Sequence, residues 1–187
     1  MKRLHLTLVG LMALAAFAVP AVVNAEQKPV TVILAGGDEA NRIHIWLSAD
    51  GREYVIESLG PLGVGESPCS NPDGDPNRLV CEAPRIGGFW VNASDEDDIV
   101  SISKNISIPV TLNGGGGDDQ LIGGAGNDLL HGDAGDDRLV GRKGSDVLFG
   151  GGGNDVLVGG PGNDVLHGGY GEDRVIAGPG ADSLHTF

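Results

Sequence analysis

Aspartate recurs at every ninth position over residues 114–185 of this 187-residue sequence. Aligned from Gly114, this segment divides into eight consecutive nonapeptides without an insertion, and the sixth position of each is aspartate. These aspartates are Asp119, Asp128, Asp137, Asp146, Asp155, Asp164, Asp173 and Asp182. Evenly spaced carboxylates offer oxygen ligands to a hard divalent cation, so the spacing favours a row of cation sites.

The other positions of the unit supply the turn and the core that would place each carboxylate. Glycine occupies position four of all eight units, and position eight is always leucine or valine. Glycine accepts positive φ, which lets a tight turn direct several backbone carbonyls at one ion. One aliphatic side chain per nine residues buries too little apolar surface to offset the ordering of the chain. Cation binding is therefore expected to contribute to folding.

The repeated unit GGxGxDxUx, in which U is aliphatic, resembles the calcium-binding nonapeptide of the repeats-in-toxin (RTX) family. The resemblance implies a parallel β-roll: the first six residues of a unit turn, the last three form a strand, and two units make one coil. It also implies about six Ca²⁺ ions between stacked turns, held by the eight aspartates and by glycine carbonyls. Those glycines are Gly115, Gly117, Gly124, Gly126, Gly135, Gly144, Gly151, Gly153, Gly160, Gly162, Gly169 and Gly171.

Two units depart from this pattern at position two, where Asp133 and Arg142 replace glycine. Lys143 follows Arg142, so the fourth unit, which begins GRKGSD, brings two positive charges to a cation site. Like-charge repulsion predicts weaker calcium binding there. Without calcium, we expect the acidic repeats to be disordered, because they cannot bury enough apolar surface to remain compact.

A weaker version of the unit precedes the array. In the segment NASDEDDIVSIS, Asp97 and Asp98 followed by Ile99 and Val100 resemble positions five to eight of a degenerate unit. Such a unit would serve as a non-binding cap that protects the first apolar edge of the roll. The same residues also fit an acidic turn before an ordinary strand, and the sequence leaves both interpretations open.

Positions seven and nine are expected to point outward when position eight points inward. The more apolar of the two outer faces carries two columns, Leu129, Val147, Val165, Ser183 and His131, Phe149, His167, His185. This Leu129/Val147/Val165 face is predicted to contact the N-terminal domain, a second copy or another protein. His167 and His185 would suit a weak zinc site, a pH-sensitive contact or plain surface positions.

The overall composition excludes a nucleic-acid partner. Phosphate binding needs concentrated positive charge, whereas this chain has 12 Lys and Arg against 26 Asp and Glu and a formal net charge of −14. Glycine numbers 33, and aromatic residues make up 4% of the chain. These values argue against a large aromatic core and suit one or two small domains.

Residues 1–25 have the features of a secretory signal peptide. Lys2 and Arg3 precede an apolar run over residues 6–19, and Val23-Asn24-Ala25 is a small-residue cleavage pattern. The run is short for a bilayer span, so no transmembrane anchor is expected after cleavage.

Residues 26–112 contain short β-like segments and turns. VTVIL (30–34), IHIWL (43–47) and the Asp50-Gly51 turn are typical of strands and a hairpin, and no segment keeps helical periodicity. Because export implies an oxidising environment, Cys69 and Cys81 are expected to form a disulfide; a catalytic or metal-binding thiol pair is the alternative. We therefore predict an all-β chain. A small β domain (26–112) precedes a C-terminal parallel β-roll (113–187), which is a calcium-binding solenoid.

Together these features predict a secreted, extracellular calcium-binding protein with a structural, adhesion or surface-interaction role. The alternative is the calcium-binding module of a secreted hydrolase or toxin-like effector. Catalysis is not expected, because the sequence has no H-E-x-x-H and its nearest approach to G-x-S-x-G is GESPC at 65–69. A pore-forming toxin would need a long apolar membrane-inserting region, which the sequence lacks.

Overall fold

The computed structural model describes residues 30–35, 40–59, 63–64, 69–83 and 86–185. Within these ranges the chain forms seventeen β-strands and no α-helix, which confirms the all-β prediction. The predicted signal peptide, residues 1–25, lies outside the described residues. In the part of the chain that is described, no helix is long and apolar enough to cross a membrane.

Eight strands precede the aspartate array. They are β1 (Val30–Ala35), β2 (Arg42–Leu47), β3 (Glu53–Ser58), β4 (Gly63–Val64), β5 (Cys69–Ser70), β6 (Arg78–Glu82), β7 (Ile86–Asp95) and β8 (Ile99–Ile102). In β2, Ile43 and Ile45 are buried while His44 between them is exposed. This alternation is the period-two pattern of a strand with one face on a core.

Nine further strands run from residue 110 to residue 185. They are β9 (Val110–Gly116), β10 (Gln120–Ile122), β11 (Leu129–Ala134), β12 (Arg138–Val140), β13 (Val147–Gly152), β14 (Val156–Val158), β15 (Val165–Tyr170), β16 (Arg174–Ile176) and β17 (Ser183–His185). β10, β12, β14 and β16 contain only positions seven to nine of a unit, as predicted. β11, β13 and β15 continue to position three of the next unit.

The strands form two sheets between which the chain alternates. The first sheet has the order β17-β15-β13-β11-β9-β7-β1-β4, and the second has the order β16-β14-β12-β10-β8-β2-β3-β6-β5. Strands of the repeats pair in parallel and in register, so that Leu130, Leu148 and Leu166 lie side by side. Two units therefore make one coil, and the predicted parallel β-roll is confirmed.

Position eight of the units lines the interior between the two sheets. The side chains with 0% exposure are Leu121, Leu130, Leu139, Leu148, Leu157 and Leu166. The last coil differs: Val175 is half-buried and Leu184 is 53% exposed. Burial of position eight thus depends on a coil at each side, since β16 and β17 are the terminal strands of their sheets.

The strands before the array belong to the same two sheets. β1 and β7 extend the first sheet, β2 and β8 extend the second, and all four pair in parallel along the stack. Ile43, Val91 and Val100 join the leucines of the repeats in one continuous apolar core. Both sheets and the core therefore continue across the boundary between residues 112 and 113, where the sequence changes to the repeats.

Short antiparallel strands end the stack at its N-terminal side. β3 pairs with β2 and β6, β5 pairs with β6, and β4 pairs with β1. Cys69 and Cys81 are opposite each other in the β5–β6 pair, and their sulfur atoms lie 2.06 Å apart. This antiparallel segment stands where a solenoid carries its cap.

Candidate metal centre

The eight predicted aspartates form two columns, because the turns that carry them alternate between the two edges of the roll. The Asp137 column, in turns from the first sheet to the second, contains Asp119, Asp137, Asp155 and Asp173. The Asp146 column, in turns from the second sheet to the first, contains Asp128, Asp146, Asp164 and Asp182. The first six aspartates along the chain are at most 2% exposed, and Asp173 and Asp182 are half-buried.

One carboxylate oxygen of each aspartate accepts a backbone hydrogen bond from the preceding coil. The N–H of Asp119 donates to Oδ1 of Asp137 at 2.8 Å, and the N–H of Asp137 donates to Oδ1 of Asp155 at 2.8 Å. The Asp146 column repeats the pattern, since Asp128 N–H donates to Asp146 Oδ1 at 2.8 Å. The donor lies 18 residues earlier in these pairs, and each carboxylate is thereby fixed in orientation by the preceding coil.

The second carboxylate oxygen is buried without a hydrogen-bond partner in most of these residues. This is the case for Oδ2 of Asp119, Asp137, Asp146, Asp155 and Asp164. Burial raises the pKa of Asp119 to about 6 and those of Asp137 and Asp146 to about 7, and carboxylates of the same column add to each rise. A positive charge beside the free oxygens would favour the ionised form of these buried carboxylates.

The glycines at position one give Oδ2 its space. A Cβ on Gly132 would lie 2.1 Å from Oδ2 of Asp137 and 2.6 Å from the carbonyl oxygen of Gly150 in the next coil. A Cβ on Gly150 would similarly lie 2.3 Å from Oδ2 of Asp155 and 2.4 Å from the carbonyl oxygen of Gly168. A carboxylate oxygen and a carbonyl oxygen of two coils therefore converge on one small space, the kind of donor set that Ca²⁺ takes.

The glycine carbonyls predicted from the sequence lie at positions two and four, and no role is predicted for position one. The sequence pattern does indicate a role for position one, because this position is glycine in every unit except the last, where it is Ala177. Glycine at position one has a steric reason that the nonapeptide spacing alone does not reveal.

The predicted glycines at positions two and four form stacked columns with positive φ. Ten of the twelve have this conformation: Gly115, Gly117, Gly135, Gly144, Gly151, Gly153, Gly160, Gly162, Gly169 and Gly171. In Gly153, with φ of 140°, a Cβ would lie 2.1 Å from the carbonyl oxygen of Gly135 in the preceding coil. Gly124 and Gly126 differ, and they face Ile106 and Ile108 of an irregular turn.

Position five carries a second ladder of side-chain acceptors that the sequence analysis missed. The N–H of Asp136 donates to Oδ1 of Asp118 at 2.8 Å, and the N–H of Asn154 donates to Oδ1 of Asp136 at 2.7 Å. These bonds run in the direction opposite to those at position six. The sequence contains a pattern that indicates this ladder, since Asp, Asn, Ser or Glu occupies position five in every unit except the eighth.

Asp98, in the degenerate segment before the array, extends the Asp137 column. Its N–H donates to Oδ1 of Asp119 at 2.8 Å, its Oδ1 accepts from the N–H of Asn41, and its side chain is 1% exposed. Ser94 and Glu96 have φ of 89° and 73°, so they match positions two and four of a unit. Oδ2 of Asp98 is buried without a hydrogen-bond partner, as in the array.

Of the two interpretations left open for this segment, the structure therefore shows the degenerate unit. Residues 93–101 form one turn and one strand in register with the array, because β8 pairs with β10. The unit does not stand at the end of the roll as a terminal cap would, since β2 pairs with β8 on its other side.

The donors at these sites are oxygen atoms of carboxylates and backbone. Among the described residues, no three His, Cys, Asp or Glu side chains come together as a set that could hold a metal ion. A cation at the columns would therefore need backbone carbonyls beside the aspartates. Hard oxygen donors without sulfur or nitrogen fit Ca²⁺ better than Zn²⁺.

A comparison with protein families matches this segment. The model of the RTX calcium-binding nonapeptide repeat, which contains four copies of the unit, matches residues 113–148 and again residues 149–184. No curated protein and no solved structure matches the chain.

Proposed function

Because the model of the RTX calcium-binding nonapeptide repeat matches residues 113–184, we propose that the protein is exported and completes its fold around Ca²⁺ outside the cell. The repeats imply calcium binding. The observation that supports the proposal most is the row of buried Oδ2 atoms without hydrogen-bond partners. At a pH where these carboxylates are ionised, a cation that neutralises the columns would stabilise the roll.

The charge distribution supports calcium as part of the fold. Stacked strands are about 4.8 Å apart, so carboxylates at equal positions of successive coils repel one another strongly in a buried setting. Arg and Lys are too few to offset them, at 12 against 26 acidic residues. When bound, Ca²⁺ supplies the missing positive charge and accepts six to eight oxygen ligands.

We propose about six occupied sites, as the stacking of four units on each edge suggests. Asp98 is an additional candidate ligand, because it has the same burial and the same unpartnered oxygen as the aspartates of the array. Asp173 and Asp182 are the weakest candidates, since the final coil leaves them half-buried.

Export suits this chemistry. Extracellular calcium is typically about millimolar, which matches the weak affinity of extracellular calcium modules, whereas low cytosolic calcium would leave the repeats extended. The signal-like sequence of residues 1–25 and the pairing of Cys69 with Cys81 support an oxidising, extracellular location.

We assign the protein a structural, adhesion or surface-interaction role and no catalytic one. Hydrolysis of generic ester and peptide substrates is therefore expected to be at the buffer background in millimolar calcium. Turnover above that background would favour the secreted hydrolase instead.

The decisive experiment is circular dichroism of residues 26–187 during titration with Ca²⁺, with Mg²⁺ as control. We expect a calcium-specific rise in β signal that is weaker in the double variant Asp137→Ala, Asp155→Ala, whose two sites stand on adjacent coils. An unchanged spectrum up to several millimolar Ca²⁺ would contradict the proposal.

A further inference from the structure

Arg142 is the one residue with a permanent positive charge that reaches into the described aspartate columns. It stands at position two of the fourth unit with φ of 82°, in the conformation that glycine adopts elsewhere at this position. Its Nη1 donates to the carbonyl oxygen of Gly123 at 3.0 Å and to that of Ile102. The guanidinium therefore crosses the preceding turn of the Asp146 column and bonds carbonyls of two successive coils.

Asp128, in the turn that Arg142 crosses, differs from the other buried aspartates of the array. Its Oδ2 accepts the N–H of Gly124 at 2.7 Å, so this oxygen has a partner. Burial raises the pKa of Asp128, while the N–H groups of Gly124 and Val110 and the Arg142 guanidinium act in the opposite direction. Asp128 thus has a partner for Oδ2 in the Gly124 N–H, and the Arg142 guanidinium is bonded to the carbonyl of Gly123 in the same turn.

The coil before Asp128 explains why a monovalent group suffices there. Val110 stands opposite Asp128, donates its N–H to Oδ1 at 3.0 Å, and brings no carboxylate. This step of the column carries one negative charge where the following steps carry two. A guanidinium supplies one positive charge and several donors, and it matches carbonyl and carboxylate oxygens.

We propose that Arg142 is a built-in cation that replaces Ca²⁺ beside Asp128, so that this step of the Asp146 column forms without a metal ion. This inference rests on the proposed calcium function of the other steps. It refines the sequence prediction for GRKGSD: binding is lost because Arg142 occupies the carbonyls of the preceding turn. Arg142 lines one pocket with Lys104 and Lys143 at this edge.

The test is the number of calcium ions bound per chain, measured by equilibrium dialysis with metal analysis, in wild type and Arg142→Gly. Glycine restores the consensus and relieves the positive φ. We expect Arg142→Gly to bind one more ion than wild type and its melting temperature to depend more steeply on calcium. Lys143→Gly, which removes the adjacent exposed cation, is the matched control and should bind as many ions as wild type.

A second pair of variants keeps the test independent of how well Arg142→Gly folds. Asp128→Asn should bind as many ions as wild type, whereas Asp146→Asn should bind fewer. An equal loss in both variants, or no gain in a folded Arg142→Gly, overturns this inference and leaves the calcium function intact. Failure of the wild-type protein to bind calcium would defeat the proposed function itself.

Discussion

The backbone N–H of Asp119 donates to Oδ1 of Asp137 at 2.8 Å, which joins one coil of the roll to the next. The same bond recurs along both columns, while Oδ2 of Asp137 and its equivalents is left for a ligand. Asp119, Asp137, Asp146, Asp155 and Asp164 therefore each tie two coils together with one oxygen and leave the other free for a cation. The two tasks can be separated by substitution.

Asp137→Asn should make stability less dependent on calcium. Asparagine retains an Oδ1 acceptor for the Asp119 N–H but removes the buried charge and the anionic ligand. The variant is expected to be more stable than wild type at pH 8 without calcium and less stable with several millimolar calcium. Thermal unfolding in the two conditions measures both differences.

Asp133→Asn is the matched control for that comparison. It makes the same change of charge in the same turn, but its side chain is exposed. If both variants shift the calcium-dependent melting temperature equally, the effect comes from general charge reduction and not from the loss of a column carboxylate.

Calcium affinity should rise with pH between about 5.5 and 7.5. The folded-state pKa values of Asp119, Asp137 and Asp146, about 6 to 7, lie above the ordinary value of 3.8 because of burial. Protonation thus stabilises the metal-free fold fully below pH 3.8, and this contribution is lost as pH rises through 6 to 7. Calcium needs the deprotonated form, so binding must release protons in the same window.

Isothermal titration calorimetry in buffers with different ionisation enthalpies counts the released protons. The control is a measurement near pH 8, where these carboxylates are largely ionised and release should be small. Affinity that does not change with pH would show that the carboxylates are ionised without the metal.

Gly153→Ala should destabilise the roll by about 1–3 kcal/mol or more, since a non-glycine residue there is strained. Its φ is 140°, and the new Cβ would lie 2.1 Å from the carbonyl oxygen of Gly135. Gly152→Ala, one residue earlier, is the control, because no atom lies within 4 Å of the added Cβ. Chemical denaturation in calcium compares the two, and equal losses would contradict the stacked-glycine geometry.

Removal of the Cys69–Cys81 pair should lower the free energy of unfolding by about 3 kcal/mol, the loop-closure value for a separation of this size. The separation is 12 residues. The double variant Cys69→Ala, Cys81→Ala should still bind as many calcium ions as wild type, because β5 and β6 lie outside the coils that carry the aspartates. A change in the number of bound ions would show that β5 and β6 are coupled to the calcium-binding coils more tightly than the fold suggests.

Val147→Lys with Val165→Lys should weaken association through the Leu129/Val147/Val165 face, because two charges would enter its apolar column. The column is in register across β11, β13 and β15, and the stacked rings of His131, Phe149 and His167 run beside it. Sedimentation velocity in calcium measures self-association, and Val156→Lys on the opposite sheet is the control. An unchanged sedimentation profile and unchanged stability would remove this face from consideration.

The nonapeptide period was sufficient to predict the β-roll, the inward leucines and the position-six carboxylates. Each unit pairs with the unit 18 residues away, so one period encodes strand, turn and register together. The sequence predicted the place of Asp98 only in part, because Asp98 and Asp119 are 21 residues apart and the nine-residue period is broken between them.

The tertiary structure alone decided which distant residues complete the columns. Asn41 bonds Asp98 across 57 residues, and Arg142 reaches Ile102 across 40. Neither contact has a local signature, because the parallel pairing of β2 with β8 spans an inserted antiparallel segment. Local spacing determined the chemistry of each unit, whereas the stacking of coils distant in sequence determined which carboxylate has a protein cation and which needs a metal ion.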